Sequence, residues 1–559
     1  MRRISTLMVV LGVVLAGLWG GQQARADVFA GQLHITNPDG SPFDGNFSDG
    51  TGAMLVFYLN DNASAVTLNV IDVQTSTSVA TINAGALSRG ANMISYDGSG
   101  SQSGKQYVFS VTAEQPNAST TEWTMFFDSG GVSIYTRGVS VIRNQSDPNF
   151  GLIMASNDGG PLGTGITVYN PDGANHDPFL VAPDVSSGGT VNYGVDAPLF
   201  AEDDEQGRLY VSAKVNGQIL RVNRDFSVDT LIAGLTEPKG IYATGDGADF
   251  TLYFAADNKI WRADVGTANS VDPASLTLIG EFSGFFPQQI MLDDDGALYA
   301  TLRATNDIGS DGRGIRKWDI SGTLPVTDSD AVWFLFEDKT FIANDLLLDS
   351  GDDPNSSVDD ILYYCTRAGG GFDQDGIWRI SDINSPFADT VRVITEDALY
   401  GADDNINARA TMDFDAAGNI VLMENSNEHI FFISPPGTGS TNSFTTTSAE
   451  PFLVGTVGIE DDLNGMPIAY RLEANYPNPF NPSTTIRYQL AKAAPTTLTV
   501  YNVLGKAVRT LVSEQQSAGN YSIQWDGRDN NGRAVASGVY IYTLQSGSFT
   551  ESRRMALLK

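Results

Sequence analysis

Carboxylates are the chain's main chemical resource, and soft ligands are almost missing from it. The segment Asp349-Ser-Gly-Asp-Asp-Pro-Asn-Ser-Ser-Val-Asp-Asp360 crowds carboxylates and amides onto one polar loop. Calcium is a hard cation that takes about six to eight oxygen ligands from such loops. Asp349, Asp352, Asp353, Asn355 and Asp359 are therefore the predicted calcium ligands. Asp293, Asp294 and Asp295 make a second cluster. Neither stretch has EF-hand spacing, and Asp, Asn, Ser and Gly are also the residues that build turns. The three histidines, His34, His176 and His429, lie far apart and in no metal-ligand spacing. The single cysteine, Cys365, excludes an intrachain disulfide framework, a zinc ribbon, an iron–sulfur cluster and covalent haem. It sits in the apolar run Leu362-Tyr-Tyr-Cys365 and reads as a small buried hydrophobe. No Walker loop, Gly-x-Ser-x-Gly elbow or dinucleotide fingerprint stands in a strand–loop–helix context. The sequence requires no cofactor, and calcium is the one candidate.

The elements that must position these residues are strands. Among 559 residues, 58 are glycine and only 18% are charged, which favours turn-rich β structure. A net charge of −33 argues against nucleic acid or an anionic membrane as partner. From about residue 116 to 457 a unit recurs six times. Its clearest strand is Leu152-Ile-Met-Ala, then Leu209-Tyr-Val-Ser, Leu252-Tyr-Phe-Ala, Leu298-Tyr-Ala-Thr, Leu362-Tyr-Tyr-Cys and Ile420-Val-Leu-Met. The spacings are 57, 43, 46, 64 and 58 residues. A second strand follows each, as in Ile219-Leu-Arg-Val and Ile377-Trp-Arg-Ile. Several units carry an Asp-x-x-Gly turn before the clearest strand, as at Asp204–Gly207 and Asp293–Gly296. With a leading strand and an outer strand, each unit makes a four-stranded blade, and six blades close a ring without free edges. A seventh, partial unit over Trp123–Tyr135 is the second reading.

The leading strands of the blades tend to line a propeller's central mouth. Those positions hold Arg137, Glu237, Lys239, Gln288, Gln289, Asn344, Asp345, Asn407 and Arg409, the predicted ligand-binding residues. The strand grammar, as in Leu235-Thr-Glu-Pro-Lys-Gly-Ile241, loosely resembles the six-bladed NHL and gluconolactonase-like (SMP-30-like) propellers. That resemblance implies a divalent metal at the mouth, for which Glu237, Asn344 and Asp345 are the nearest candidates. The basic residues in the same ring depart from the family pattern and would repel a metal.

The two ends of the chain repeat one another. Thr67-Leu-Asn-Val-Ile-Asp-Val73 and Gly90-Ala-Asn-Met-Ile-Ser-Tyr-Asp-Gly98 match Thr497-Leu-Thr-Val-Tyr-Asn-Val503 and Gly519-Asn-Tyr-Ser-Ile-Gln-Trp-Asp-Gly527. Period-two alternation makes each copy a small β-sandwich. The expected fold is thus all-β: a six-bladed β-propeller over 116–457, flanked by Ig-like β-sandwich domains at 27–115 and 471–559, with a linker at 458–470. The C-terminal copy has a proline-rich opening with Asn475, Pro477, Pro479 and Phe480. The turn Trp525-Asp-Gly527, then Gly538 and Tyr540, and a basic tail ending at Lys559 follow in order. Residues 470–559 closely resemble the type A C-terminal sorting domain of the type IX secretion system and the Ig-like domain of flagellar hook-capping proteins. The resemblance implies export across an outer membrane by that machinery, often with removal of the domain or attachment of the product to the cell surface.

Targeting and charge agree with this. Met1-Arg2-Arg3, an apolar stretch over Leu7–Leu18 and Ala24-Arg25-Ala26 read as a secretory signal peptide over 1–26. No later segment reaches transmembrane length. Residues 467–559 carry +5 and residues 116–466 carry −35, so a mildly basic terminal module follows an acidic cargo. The expected product is an extracellular or cell-surface, non-catalytic protein whose propeller binds a glycan, peptide or surface component. A metal-dependent, lactonase-like hydrolase acting at the mouth is the alternative, and a structural surface-layer component a second one.

Overall fold

The computed structural model describes residues 28–557 except 44, 46, 48–51, 117–118, 121, 130–135, 159–163, 184–188, 190–198, 205–206, 284, 305–311, 336–341, 351–355, 368–375, 385–389, 396–409, 425–428, 455–470, 473–474, 476–479, 481–482, 491–493, 503–505, 518, 531, 537 and 547–548. The chain divides into two compact units, the first ending at Thr456 and the second beginning at Val457.

In the first unit, short apolar runs bounded by Asp-Gly turns form six four-stranded antiparallel sheets among the described residues. Their innermost strands are Thr136–Val141, Leu199–Asp203, Pro238–Thr244, Phe285–Leu292, Ile342–Asp349 and Ala410–Phe414. Each neighbours the next, and the sixth neighbours the first, so the ring is closed. The strands read from the sequence as clearest are the second of each blade, such as Leu209–Ala213 and Leu298–Ala304. Their aliphatic side chains pack between blades, with Leu252 and Leu298 wholly buried. Each such burial contributes about 1.5–3 kcal/mol.

Closure uses a strand from the wrong end of the repeat. The sixth blade has Ala410–Phe414, Ile420–Glu424 and Ile430–Ser434, and its outermost strand is Thr124–Asp128. Within the segment read as a partial seventh unit, the described strand Thr124–Asp128 therefore belongs to the sixth blade. Its apolar Met125-Phe-Phe run completes the last blade by pairing with Phe431–Ser434.

The Asp-x-x-Gly turns have a common construction. Asp204 Oδ1 accepts the Arg208 N–H at 2.9 Å, Asp293 Oδ1 that of Ala297 at 2.7 Å, and Asp415 Oδ1 that of Asn419 at 2.9 Å. Gly207, Gly296 and Gly418 take φ of +67°, +79° and +85°, which a side chain would disfavour. The second carboxylate oxygen receives Tyr210 Oη at 3.0 Å in blade two and Tyr299 Oη at 2.9 Å in blade four.

The N-terminal sandwich pairs the three-stranded sheet Ala30–Thr36, Ala53–Leu59 and Gly90–Tyr96 with a sheet ordered Thr77–Leu87, Ala63–Asp72, Lys105–Pro116 and Thr441–Thr447. Phe452–Val454 extends the pairing along Lys105–Tyr107. Residues 441–454 thus belong to this sandwich rather than to the ring, which corrects the sequence-based boundary at 457. The physical reason is an edge: Lys105–Pro116 is half paired by Ala63–Asp72 and needs a second neighbour.

This sandwich sits on one end of the ring. Gln32 N donates to the Phe150 carbonyl at 3.1 Å, and Asn60 Nδ2 donates to Asp415 Oδ2 at 3.1 Å. Phe150 and Asp415 lie in the turns after the first strands of blades one and six. Arg89 donates to the Asp172 carbonyl and stacks on Phe127, with its guanidinium carbon 3.3 Å from the ring centre. The end where the inner strands begin is the opposite one.

The second unit has the sheets Arg471–Leu472, Thr484–Leu490, Gly519–Trp525 and Ala507–Gln516, Ala494–Asn502, Gly538–Ser546, Phe549–Leu557. Its core includes Phe480, Trp525, Tyr542 and Leu557.

Candidate functional site

Five of the six innermost strands are interrupted near their first residues. A ladder advances one residue at a time on each strand unless an extra residue is inserted, and such a bulge re-aims side chains. Register slips occur at Arg137, at Phe200, across Lys239–Gly240, across Gln288–Gln289 and at Asn344. The strand Ala410–Phe414 runs without one. The bulges coincide with five of the residues predicted for the mouth: Arg137, Lys239, Gln288, Gln289 and Asn344. The structure therefore places these at one end of the ring, on irregular backbone, opposite the sandwich.

The best-described part is the seam between blades three and four. Lys239 is only 4% exposed, and its Nζ lies 4.8 Å from the centre of the Phe286 ring. Gly240 lets the two inner strands touch, since a Cβ there would stand 2.0 Å from the Gln288 carbonyl oxygen. Gln288 Nε2 reaches the Phe286 and Pro287 carbonyls at 3.3 Å each. The Gln289 backbone N–H donates to Thr301 Oγ1 at 3.0 Å, whereas its buried side-chain Oε1 has no hydrogen-bond partner. A buried polar atom left unpaired costs about 1–3 kcal/mol. Arg303 stands directly across the ladder from Phe286, hence on the same face of blade four.

The other predicted mouth residues separate. Arg137 is half-buried on its bulge, and Glu237 is exposed with φ of +44°. Asp345 is buried, but its oxygens are already taken: Oδ1 accepts the Leu346 N–H and Oδ2 the Met412 N–H, both at 2.9 Å. It clamps blade five to blade six, and burial pushes its carboxyl up to about 7. Asp413 repeats the device one blade on, accepting the Val141 N–H at 2.7 Å. A carboxylate so used is a poor metal ligand, which weakens the donor set of Glu237, Asn344 and Asp345. The Asn344 side chain, Asn407 and Arg409 lie outside the described residues.

The two acidic stretches come together, at the turn end of blades four and five. Ser350 Oγ donates to Asp294 Oδ1 at 3.0 Å, and Ser357 Oγ donates to Asp295 Oδ2. Asp294 N donates to Asp360 Oδ2 at 3.2 Å. Asp293 is occupied by Tyr299 and by Lys317 Nζ at 3.0 Å. Burial pushes the Asp360 carboxyl up to about 7 and raises that of Asp294. Asp349 and Asp359 are half-buried at the ends of the loop, and Asp352, Asp353 and Asn355 lie outside the described residues. Among the described residues no group of three or more His, Cys, Asp or Glu side chains is arranged to hold a metal ion.

In the second unit the predicted sorting residues hold the sandwich together. Asn475 Nδ2 donates to Thr484 Oγ1 at 2.9 Å. Trp525 lies 5.5 Å from Phe480 and 5.2 Å from Tyr540, centre to centre, and its Nε1 donates to the Arg528 carbonyl at 2.9 Å. Gly527 and Gly538 take φ of +66° and +154°. Pro477 and Pro479 lie outside the described residues. Arg553 and Arg554 of the basic tail are exposed on the last strand.

Sequence reasoning missed Phe286 and Arg303 at the mouth. Arg303 follows the clearest strand of its unit by a few residues, and only the ladder shows that it faces Phe286.

Comparison with known proteins covers both units. Residues 481–548 match the FlgD Ig-like domain family, so the C-terminal module is Ig-like. No curated protein sequence matches the chain. One similar solved structure is PorZ of Porphyromonas gingivalis, described as an essential surface component of the type IX secretion system. It is 13% identical over 91% of this chain and 69% of its own, with a TM-score of 0.31. An auxiliary nutrient binding protein from Bacteroides thetaiotaomicron is 11% identical over 68% of this chain and 94% of its own, at 0.36. Virginiamycin B lyase from Staphylococcus aureus is 15% identical over 58% and 98%, at 0.29. These scores are too low to carry an activity to this chain. No helix of the described residues is long and apolar enough to cross a membrane.

Proposed function

We propose that the chain is a non-catalytic binding protein of the cell surface or extracellular medium, exported through the type IX secretion machinery, with its ligand site at the bulged mouth of the propeller. The observation that carries the binding half is the ring of bulges at the leading ends of the inner strands. It gathers buried polar side chains, with the Gln289 oxygen left unpaired, on the end that the sandwich leaves free. Polar groups held buried without partners are what a ligand satisfies on binding. The export half rests on the signal-like N-terminus, the ordered C-terminal motif and the match of 481–548 to an Ig-like family.

The test is a glycan and peptide array probed with the mature protein and with Gln289→Leu. A ligand that binds the wild type and is lost in the variant supports the mouth, whereas hits indifferent to Gln289 count against it. Removing residues 467–559 should strand the product in the periplasm, and normal surface delivery of the shortened chain would overturn the export half. Calcium at the 349–360 loop belongs to the same proposal, supported by the density of oxygen ligands there.

A further inference from the structure

Two carboxylates meet where blades four and five stack, and each has one oxygen left over. Asp294 lies in the turn after the inner strand of blade four, Phe285–Leu292, and Asp360 immediately precedes the second strand of blade five, Ile361–Arg367. Ser350 Oγ donates to Asp294 Oδ1 at 3.0 Å, and the Asp294 backbone N–H donates to Asp360 Oδ2 at 3.2 Å. The other two oxygens, Asp294 Oδ2 and Asp360 Oδ1, are buried and have no hydrogen-bond partner among the described residues. Asp360 is 0% exposed, and its carboxyl lies within hydrogen-bonding reach of that of Asp294. A wholly buried side chain thus aims an unpartnered oxygen at a second unpartnered carboxylate oxygen.

The charges around the pair do not balance it. Lys317 is spent on Asp293 Oδ2 at 3.0 Å and on Asn384 Oδ1 at 3.3 Å. Asp293 and Asp359 add negative charge beside Asp294, and no lysine or arginine occurs in residues 343–366. A buried charge is paired or coordinates a metal. Resting on the reading of the 349–360 loop as a calcium site, we propose that the ion sits between the blades, on Asp294 Oδ2 and Asp360 Oδ1, and pins blade four to blade five. Calcium accepts an irregular shell of about six to eight oxygens and completes it with backbone carbonyls and water. Two carboxylates therefore suffice where, among the described residues, no group of three or more is arranged for a metal. Magnesium demands a near-ideal octahedron, which two turns on different blades are not built to give. The assignment does not use Asp352, Asp353 or Asn355.

The experiment is calorimetric titration of the chelator-stripped mature protein with calcium chloride, together with its melting in chelator, in calcium and in magnesium. The wild type should bind one calcium per chain, and calcium should raise the transition of the first unit by about 5 °C, whereas magnesium should not. Asp294→Asn and Asp360→Asn keep the shape of each side chain and one acceptor oxygen. In chelator both should melt no lower than the wild type, because a neutral amide ends the repulsion between the facing oxygens. Both should lose the calcium shift and bind calcium at least tenfold more weakly, while the double variant Asp352→Asn/Asp353→Asn keeps both properties. Loss of the response in that double variant alone would overturn the assignment to Asp294 and Asp360 and leave calcium on the loop. An equal response to magnesium, or a calcium response indifferent to both single variants, would overturn it as well. A wild type that ignores calcium while both single substitutions stabilise it holds a shared proton there, which removes the calcium reading together with this one.

Discussion

The two sandwiches share one strand order and differ in where their last strand comes from. Each has a three-stranded sheet facing a larger one, of four strands in the C-terminal domain and of the same four plus Phe452–Val454 in the N-terminal one, and the inner pair of the larger sheet is Ala63–Asp72 with Lys105–Pro116 in one, and Ala494–Asn502 with Gly538–Ser546 in the other. In the C-terminal domain the edge strand Phe549–Leu557 follows at once, as a hairpin that pairs Ser546 with Phe549. In the N-terminal domain the corresponding strand, Thr441–Thr447, arrives only after the whole propeller has intervened. The ring is thus inserted between the last two strands of a sandwich. That arrangement holds both ends of the propeller, welds the sandwich to blades six and one, and fixes which end of the ring the sandwich covers. The C-terminal copy takes all of its described strands from one continuous stretch of chain.

The largest expected effect follows from that difference. A fragment of residues 471–559 should melt cooperatively, whereas residues 28–116 alone should show no cooperative transition. Joining residues 437–454 to 28–116 by a flexible linker should restore one, because the edge of Lys105–Pro116 is then paired. Calorimetry or circular dichroism of the three fragments checks this, and cooperative melting of 28–116 alone would break the comparison.

Much of this molecule was legible in its sequence, because apolar runs and Asp-x-x-Gly turns are local signals. The second and third strands of the blades lie where the alternation puts them, and Arg137, Lys239, Gln288, Gln289 and Asn344 lie on the bulges, whereas Glu237 and Asp345 do not. What could not be read was long-range pairing. Met125-Phe-Phe looks like a blade strand and is one, but nothing local says that it belongs to the last blade. Thr441–Thr447 alternates like any half-buried strand, and its partner is fixed only by an edge left open far upstream. The two acidic stretches, separated in sequence, meet only because consecutive blades stack.

Single substitutions should sharpen the same contrast at smaller cost. Trp525 is wholly buried between Phe480 and Tyr540. Trp525→Ala should remove about 3–5 kcal/mol, confined to the transition of the second unit. Arg89 joins the N-terminal sandwich to the ring through Phe127, Phe432 and the Asp172 carbonyl. Arg89→Ala should lower the first unit's stability by about 1–2 kcal/mol. Scanning calorimetry resolves the two transitions. A first transition untouched by Arg89→Ala would mean that the sandwich and the ring are coupled by the returning strand alone.

The smallest effect is a dependence on pH that belongs to the first unit. Burial raises Asp360 and Asp345 to about 7 and Asp415 to about 6, and all three lie before Thr456. An unfolded aspartate titrates near ~3.9. Between that value and about 7 the folded chain holds protons that the unfolded chain has released, so stability falls as pH rises through the window and levels off above it. At Asp360 the cause is the low exposure of its carboxyl together with the facing Asp294. Asp360→Asn should therefore gain on the wild type as pH rises from about 5 to 8, by a few degrees in the first transition. Calcium gives the same site a second readout. If the 349–360 loop holds the ion, calcium at pH 8, above the value of about 7 for Asp360, should stabilise the wild type more than it stabilises Asp360→Asn. A first transition that ignores calcium removes the ion from the proposal, and an unchanged pH slope in Asp360→Asn shows that Asp345 and Asp415, the clamps between blades and to the sandwich, carry the dependence instead.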